Sequence, residues 1–217
     1  MTKILNFNFL VMLLECPPPA VLANIPATNC PIKFDQIQKI AFGRKTTDAR
    51  FDTETEMITQ AAWTPLLTAV DASKIVISPY FTGLTIPVGE PIKTGGNDNT
   101  TINGISELQG GPSVVVPLIF KNISAETARG LRALCSETQL QPGETNLVGY
   151  FFARDNNIIY DARDNKIEGF EIFNLFVPDV ASEGFNANNT YNCSFELKFG
   201  WSEFFKMVKA NFNITKL

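Results

Sequence analysis

The chain has 217 residues, of which 45% are hydrophobic and 18% are charged, and its formal net charge is −4. A chain of this length buries a substantial core, as one large domain or two small ones. Its basic residues are scattered, with no run longer than Arg44-Lys45. Because nucleic-acid binding requires concentrated positive charge, the composition argues against a DNA- or RNA-binding face.

Histidine is absent from the sequence. This excludes the Ser-His-Asp and Cys-His nucleophile systems and the histidine-containing zinc motifs. The 22 acidic residues fall in no recognisable catalytic motif, and the sequence contains no P-loop and no glycine-rich dinucleotide fingerprint. We therefore predict that the protein is not an enzyme and has no catalytic residue, no cofactor and no metal site.

The first expected element is an extended arm over residues 1–31. Leu5, Phe7 and Phe9 alternate with asparagines, which is the period-2 pattern of a strand. The asparagines and Glu15 also interrupt the apolar run that a signal peptide needs. We expect an arm that lies on a sheet edge or on a neighbouring protein. No apolar run is long enough to span a membrane.

A single β-rich domain, of class α+β, is expected over residues 32–217, with about eight strands and two short helices. One short helix or two are expected within Ile58–Val70, with Thr64 as the candidate N-cap and Pro65 as the first helical residue. Another helix follows Ser124 as N-cap. Strands are predicted at Gln36–Phe42, Lys74–Phe81, Ser113–Phe120, Asn146–Ala153, Ile158–Ala162, Gly169–Val177, Tyr191–Phe199 and Val208–Leu217.

A long polar loop is expected at residues 94–111. Its glycines permit backbone conformations closed to other residues, and its asparagines favour turns. Loops longer than about 12–15 residues are usually functional or disordered, so we expect this one to contact a neighbouring subunit. The predicted oligomer-interface residues in the arm and the loop are Leu5, Phe7, Phe9, Gly95, Gly96, Asn97, Asp98, Asn99, Thr100, Thr101 and Asn103.

The four cysteines form no CxxC pair. Cys135 and Cys193 fall at apolar positions of the predicted helix and strand, where a cysteine acts as a small buried hydrophobe. We expect four free thiols in a protein synthesised in a reducing cytoplasm. A disulfide between Cys16 and Cys30 is the alternative.

Short segments spread over most of residues 29–117 resemble a known family. They are Asn29-Cys30-Pro31, Gln36–Phe42, Ala62–Ala69, Thr94–Gly104 and Gly111-Pro112. With these segments the chain resembles virion structural proteins of tailed phages that infect Bacteroidetes, the crAss-like podophages in particular. The C-terminal half is similar only in its rhythm of strands and loops.

The resemblance implies a ring-forming component of the phage tail or neck, with a β sandwich or barrel similar to tail-tube and connector proteins. Such rings stack into a conduit for DNA. The implied partners are copies of the chain and neighbouring tail or portal proteins, with no sequence-specific nucleic-acid binding and no membrane. The implied location is the virion, after synthesis in the host cytoplasm.

A carbohydrate-binding or adhesin-like β sandwich is the alternative function. Tryptophan and tyrosine side chains can stack on sugars, and the long loop could form a binding rim. Trp63 shares a predicted helix face with Leu66 and Leu67, which favours a core position. Trp201 closes an alternating strand, so its role stays open.

Overall fold

The computed structural model describes Ile25 and residues 36–46, 50–82, 84–96, 102–182, 184–185 and 188–217. The chain divides into two compact units. The larger comprises Phe34–Glu90 and Pro112–Leu217, and the smaller comprises Met1–Lys33 and Pro91–Gly111. The expected loop thus belongs to the smaller unit.

The described residues are mainly β, with three sheets and a few short helices, which confirms the predicted β-rich α+β class. In the described part of the chain, no helix is long and apolar enough to cross a membrane. In chain order the strands are β1 (Ile37–Arg44), β2 (Ile75–Ile77), β3 (Ile92–Thr94), β4 (Glu107–Gly110), β5 (Val114–Lys121), β6 (Leu147–Ala153), β7 (Asn157–Asp161), β8 (Phe170–Glu171), β9 (Phe173–Phe176), β10 (Thr190–Leu197) and β11 (Phe205–Lys209), and the helices are α1 (Glu54–Met57), α2 (Gln60–Thr68) and α3 (Ala125–Cys135).

The larger unit has three layers. A six-stranded antiparallel sheet, in the order β11-β7-β6-β1-β2 with β8 also beside β6, forms the middle layer. A three-stranded sheet, β5-β10-β9, packs on one face together with α3, and the two sheets share one apolar core. Helices α1 and α2 pack on the opposite face around a second core. The middle sheet is therefore covered on both sides.

Strand β6 lies between the two cores, so both of its faces are covered. All seven of its residues are buried. Phe151 faces the core between the sheets, whereas Tyr150 and Phe152 face the helices. A bulge in the neighbouring strand β1 keeps Ile37 and Ile40 on the same side as Phe151. Apolar residues at every position are the expected pattern for a strand between two cores.

The helix predicted within Ile58–Val70 begins earlier than the sequence suggests. The N-cap of α2 is Thr59, not Thr64, and Pro65 lies inside the helix. Trp63 explains the difference, because its indole N–H donates a 2.8 Å hydrogen bond to the Met57 carbonyl while its ring fills the second core. Tertiary packing of one large side chain outweighs the preference of proline for the first turn.

The strand predicted over Gly169–Val177 is divided between two sheets. Strand β8 pairs with β6, and β9 pairs with β10. At the crossing, Ile172 donates its amide to the Leu147 carbonyl at 2.9 Å and accepts the Thr145 hydroxyl at 2.5 Å. Asn174 follows with a φ of 49°. One apolar run therefore forms a corner that joins the two layers.

The predicted N-cap of α3 is confirmed, and the last predicted strand is wrong. Ser124 is the N-cap of α3, where its hydroxyl accepts the Thr127 amide at 3.0 Å, as expected. The strand predicted over Val208–Leu217 is wrong, because β11 ends at Lys209 and a short 3-10 turn follows at Ile214–Lys216. There the chain leaves the sheet, and Ile214 joins the second core.

Candidate assembly surface

The segment predicted as a long loop contains a β-hairpin. Strands β3 and β4 pair antiparallel, with Ile92 opposite Gly110 and Thr94 opposite Glu107. The connection between them is residues 95–106, and it includes a 3-10 turn at Ile102–Gly104. The unpaired part is therefore shorter than residues 94–111, and the segment has secondary structure of its own.

Three of the predicted interface residues fall in the described part of this connection. Gly95, Gly96 and Asn103 all have positive φ, at 69°, 103° and 59°. At Gly96 a Cβ atom would lie 3.1 Å from the Cβ of Ser106, so a glycine suits this close approach. The other predicted interface residues lie outside the described residues: Leu5, Phe7, Phe9, Asn97, Asp98, Asn99, Thr100 and Thr101.

The hairpin exposes most of its apolar side chains. None of its described residues is buried. Ile92, Ile102, Ile105 and Leu108 are 51%, 86%, 69% and 49% exposed. A two-stranded hairpin without a core is at best marginally stable in water. The arrangement therefore favours contact of these side chains with another surface.

A second apolar surface lies on the outer face of the three-stranded sheet. Val115 of β5 and Phe176 of β9 point away from the core and are 51% and 59% exposed. An antiparallel strand with one solvated face usually alternates apolar and polar residues, whereas β5 is apolar on both faces. That departure is the signal that the sequence offers for this surface. Its apolar members are Val115, Pro117, Ile119, Phe173 and Phe176.

A polar stripe from β10 runs between the two apolar strips of this surface. Ser194 lies opposite Pro117 on one side and Phe176 on the other. The next outward residue, Glu196, accepts a 2.8 Å hydrogen bond from the Ser113 hydroxyl. A mixture of apolar side chains with hydrogen-bonding groups is typical of protein interfaces. The outer face thus has the composition of a contact surface.

Glu171 of β8 forms ion pairs with two lysines. The Glu171 carboxylate accepts hydrogen bonds from both Lys45 and Lys198. Burial alone would raise the pKa of Glu171, but the two ammonium groups outweigh it and hold that pKa below its ordinary value. Burial raises the pKa of Asp161 and of Glu168. Glu171 thus neutralises two lysine side chains next to the point where the chain crosses between the sheets.

Arg50 is a half-buried arginine that links two backbone segments. The Arg50 guanidinium donates hydrogen bonds to the carbonyls of Arg44 and Ser73, and burial lowers its pKa. A Cβ at residue 43 would lie 2.9 Å from Nη2 of Arg50, so a larger residue there would displace the guanidinium. Arg50 also acts electrostatically on the buried Tyr150 hydroxyl. Because the guanidinium bonds two backbone segments, its role is to hold them together.

The cysteines of the described residues are free thiols, as predicted. Cys193 is buried and Cys135 is half-buried. Burial raises the pKa of Cys135, and it raises that of Cys193 to about 12. Both thiols are thus protonated at neutral pH and poor nucleophiles. Cys16 and Cys30 lie outside the described residues.

Within the described ranges, no group of three Cys, Asp or Glu side chains is arranged to hold a metal ion.

Both tryptophans pack against the protein interior. Trp63 is fully buried, which confirms its predicted core position, and its ring lies 4.8 Å from that of Phe51. Trp201 is half-buried and meets Phe170 edge to face, with ring centroids 5.6 Å apart. The Trp63 ring is therefore not accessible to a sugar, and the Trp201 ring is partly covered.

Comparison with known proteins gives no relative for this chain. No protein-family model matches the sequence, and no curated protein and no solved structure is significantly similar to it. The functional interpretation therefore depends on the hairpin, the outer sheet face and the resemblance described above.

Proposed function

We propose that the chain is a structural subunit of a tailed-phage virion, which forms an oligomeric ring in the tail or neck and helps to build the DNA conduit. The observation that carries the proposal is the β3–β4 hairpin. It presents four large exposed apolar side chains and has no buried residue among those described. Contact with another subunit would remove these side chains from water, at roughly 25 cal/mol per Å² of apolar surface.

Two unlike apolar surfaces support a ring rather than a two-fold dimer. The hairpin is one, and the outer face of the three-stranded sheet is the other. Head-to-tail contacts between different patches close into rings when the rotation per subunit permits. We expect each contact to bury on the order of 2,000 Å² or more, as obligate interfaces do.

The charge of the chain is compatible with a conduit. Its net charge is −4, and a surface without excess positive charge does not retain the phosphate backbone. DNA would then pass through the ring without sequence-specific binding. The resemblance to virion proteins of crAss-like phages supplies the biological setting, and neighbouring tail or portal proteins are the expected partners.

The test is the assembly state of the full chain. Analytical ultracentrifugation and negative-stain microscopy should show closed rings, whose population grows with protein concentration. Replacing Leu108 with Asp places a charge on the hairpin and should weaken assembly at least 10-fold. The matched control is Val88→Asp, at a site that is 96% exposed and lies in the larger unit. This control should assemble like the wild type.

Two results would contradict the proposal. One is a monodisperse wild-type monomer at high concentration together with the absence of a ring of this protein in virion images. The other is equal assembly of the Leu108→Asp variant and the wild type, which would mean that the hairpin contacts nothing.

A further inference from the structure

The edges of the two sheets differ in how they are protected. The β5 edge is paired with Thr82, which exchanges two backbone hydrogen bonds with Ile119 at 2.8 and 2.9 Å. At the β9 edge, the Leu175 amide donates to the Thr138 hydroxyl at 3.1 Å. Strand β11 carries two exposed lysines, and charged side chains discourage pairing at an edge. Strand β2 is short, with three uncharged residues, and none of the described residues pairs with its free edge.

Strand β2 is an open, uncharged edge of the six-stranded sheet. Its residues pair with β1 on one side, where Val76 lies opposite Phe42. On its other side, none of the described residues forms a strand partner. The strand sequence is Ile-Val-Ile, and Val76 is 42% exposed. Such an edge presents unpaired backbone groups that can accept another strand.

A cleft of about 240 Å³ lies beside this edge. Its lining includes the buried side chains of Phe42 and Leu147, together with Val76 of β2 and Leu134 of α3. Charged side chains also line the cleft, namely Asp71, Lys74 and the ion pair of Arg44 with Glu137, whose atoms are 2.5 Å apart. Ligand pockets for small molecules usually have volumes of about 300–1,000 Å³, so the cleft is better matched to a few side chains of a peptide.

We infer that the β2 edge and the adjacent cleft are the acceptor site for an extended segment of a second copy of this chain, residues 4–11. The inference rests on the proposed ring assembly and adds a further contact between one subunit and the next. The donor segment lies outside the described residues, and its sequence argues for it. Leu5, Phe7 and Phe9 alternate with asparagines, which is the pattern of a strand with one apolar face.

Addition of a strand would use both parts of the acceptor site, the β2 edge and the adjacent cleft. The backbone of the added strand would hydrogen-bond to the β2 edge, while alternate side chains fall on one face. That face is the Val76 side, where the cleft lies. The apolar residues of the segment can therefore enter the cleft, and its asparagines face the other way.

Chain length permits the contact to be made between subunits. About two dozen residues separate the segment from β1, and a chain of that length spans up to about 80 Å when fully extended. The segment can thus reach an adjacent subunit in a ring. Head-to-tail donation of a strand from each subunit to the next is a heterologous contact of the kind that closes rings.

Photo-crosslinking in the full chain tests the contact directly. Val76 is replaced by p-benzoyl-L-phenylalanine, and an equimolar mixture of ¹⁴N- and ¹⁵N-labelled protein is irradiated. We expect crosslinks from position 76 to residues 4–11 that join a light to a heavy chain. The same replacement at Val70, which is fully exposed outside β2, should give no crosslink to residues 4–11. Crosslinks confined to one isotope label within single chains, or none to residues 4–11, would overturn the inference.

A substitution pair separates this inference from the proposed function. Val76→Lys places a charge at the acceptor and should weaken ring formation at least 10-fold, whereas Val70→Lys should assemble normally. Wild-type rings together with normal assembly of Val76→Lys would overturn the inference and leave the proposed function standing. A wild-type protein that forms no ring would overturn both.

Discussion

Strand β6 and the β3–β4 hairpin differ in how far their residues are buried. Every residue of β6 is buried, with one core on each side. None of the described residues of the hairpin is buried, although Ile92 and Leu108 are as apolar as the residues of β6. Each hairpin strand has one large apolar residue among polar ones, whereas β6 is apolar or glycine at every buried position except the hydroxyl of Tyr150.

The two segments differ in how much burial of apolar surface contributes to their stability. Burial of apolar surface against neighbouring layers stabilises β6, and loss of one large side chain there costs several kcal/mol. The hairpin has no buried residue among those described, so we expect its side chains to contribute little to the free energy of folding. The following substitutions test that separation, from the largest expected effect on folding to the smallest.

Trp63→Ala should cause the largest loss of stability. Its ring packs against Phe51, Tyr150 and Phe152 on the helix side of β6. The cavity and the lost hydrogen bond should lower the free energy of unfolding by about 3–5 kcal/mol. Urea denaturation measures it, with Val70→Ala at a fully exposed position as the control. A loss under about 1 kcal/mol would mean that the helix layer does not support β6.

Gly169→Ala should destabilise the crossing between the two sheets. A Cβ at Gly169 would lie 2.8–3.0 Å from the backbone of Gly149 in β6, which has little freedom to move. We expect a loss of about 1–3 kcal/mol. Gly130→Ala in α3 is the matched control, because no atom lies within 4 Å of its Cβ position. That control should gain about 0.5–1 kcal/mol from helix propensity. Equal effects of the two variants in urea denaturation would contradict this packing.

Glu171→Gln should lower stability in a pH-dependent way. The pKa of Glu171 is held below its ordinary value in the folded protein, so its contribution is present above the unfolded pKa of about 4.3 and is lost as the pH falls through the folded pKa. We expect a loss of about 1–2 kcal/mol at pH 7 that shrinks toward pH 3. Urea denaturation at several pH values measures it, and a pH-independent loss would contradict the pairing with Lys45 and Lys198.

Glu168→Gln should show the opposite pH dependence. Burial raises the pKa of Glu168, so its contribution is fully present below the unfolded pKa and is lost as the pH rises through the folded pKa. The variant should therefore gain stability relative to the wild type between pH 4 and pH 7, by less than about 1 kcal/mol. Urea denaturation of the wild type and of the Glu168→Gln variant at the same pH values measures the difference in stability. A relative loss over this interval would show that ionised Glu168 is net stabilising.

Ile102→Ser should have almost no effect on folding. Ile102 is 86% exposed in the hairpin, and substitutions at exposed sites usually change stability by less than about 0.5 kcal/mol. Urea denaturation measured under conditions where the protein is monomeric should show this. A loss above about 1 kcal/mol would mean that the hairpin stabilises the fold, and the contrast with β6 would fail.

Several features of the fold could be predicted from the sequence because they are local. The alternation in Tyr191–Phe199 predicts β10 with one buried face, and Ser124 predicts the start of α3. Apolar residues at consecutive positions of β6 indicate a buried strand but do not tell how many layers cover it. Gly95, Gly96 and Asn103 of the predicted interface lie in the hairpin connection, and their role in assembly stays a prediction. The sequence analysis did not identify the exposed apolar face around Val115 and Phe176.

Composition and short-range pattern were enough to predict the β-rich class and the position of the glycine-rich segment, and composition alone shows that the chain has no histidine. Three features emerge only in the folded structure: the corner at Ile172 between two sheets, the start of α2 at Gln60, and the edge of β2 that no described residue pairs. Each of these depends on which distant segment lies alongside, such as β6 beside β8 or Met57 beneath Trp63. Pairing of residues far apart in the chain is fixed by three-dimensional packing, and local propensity yields to it.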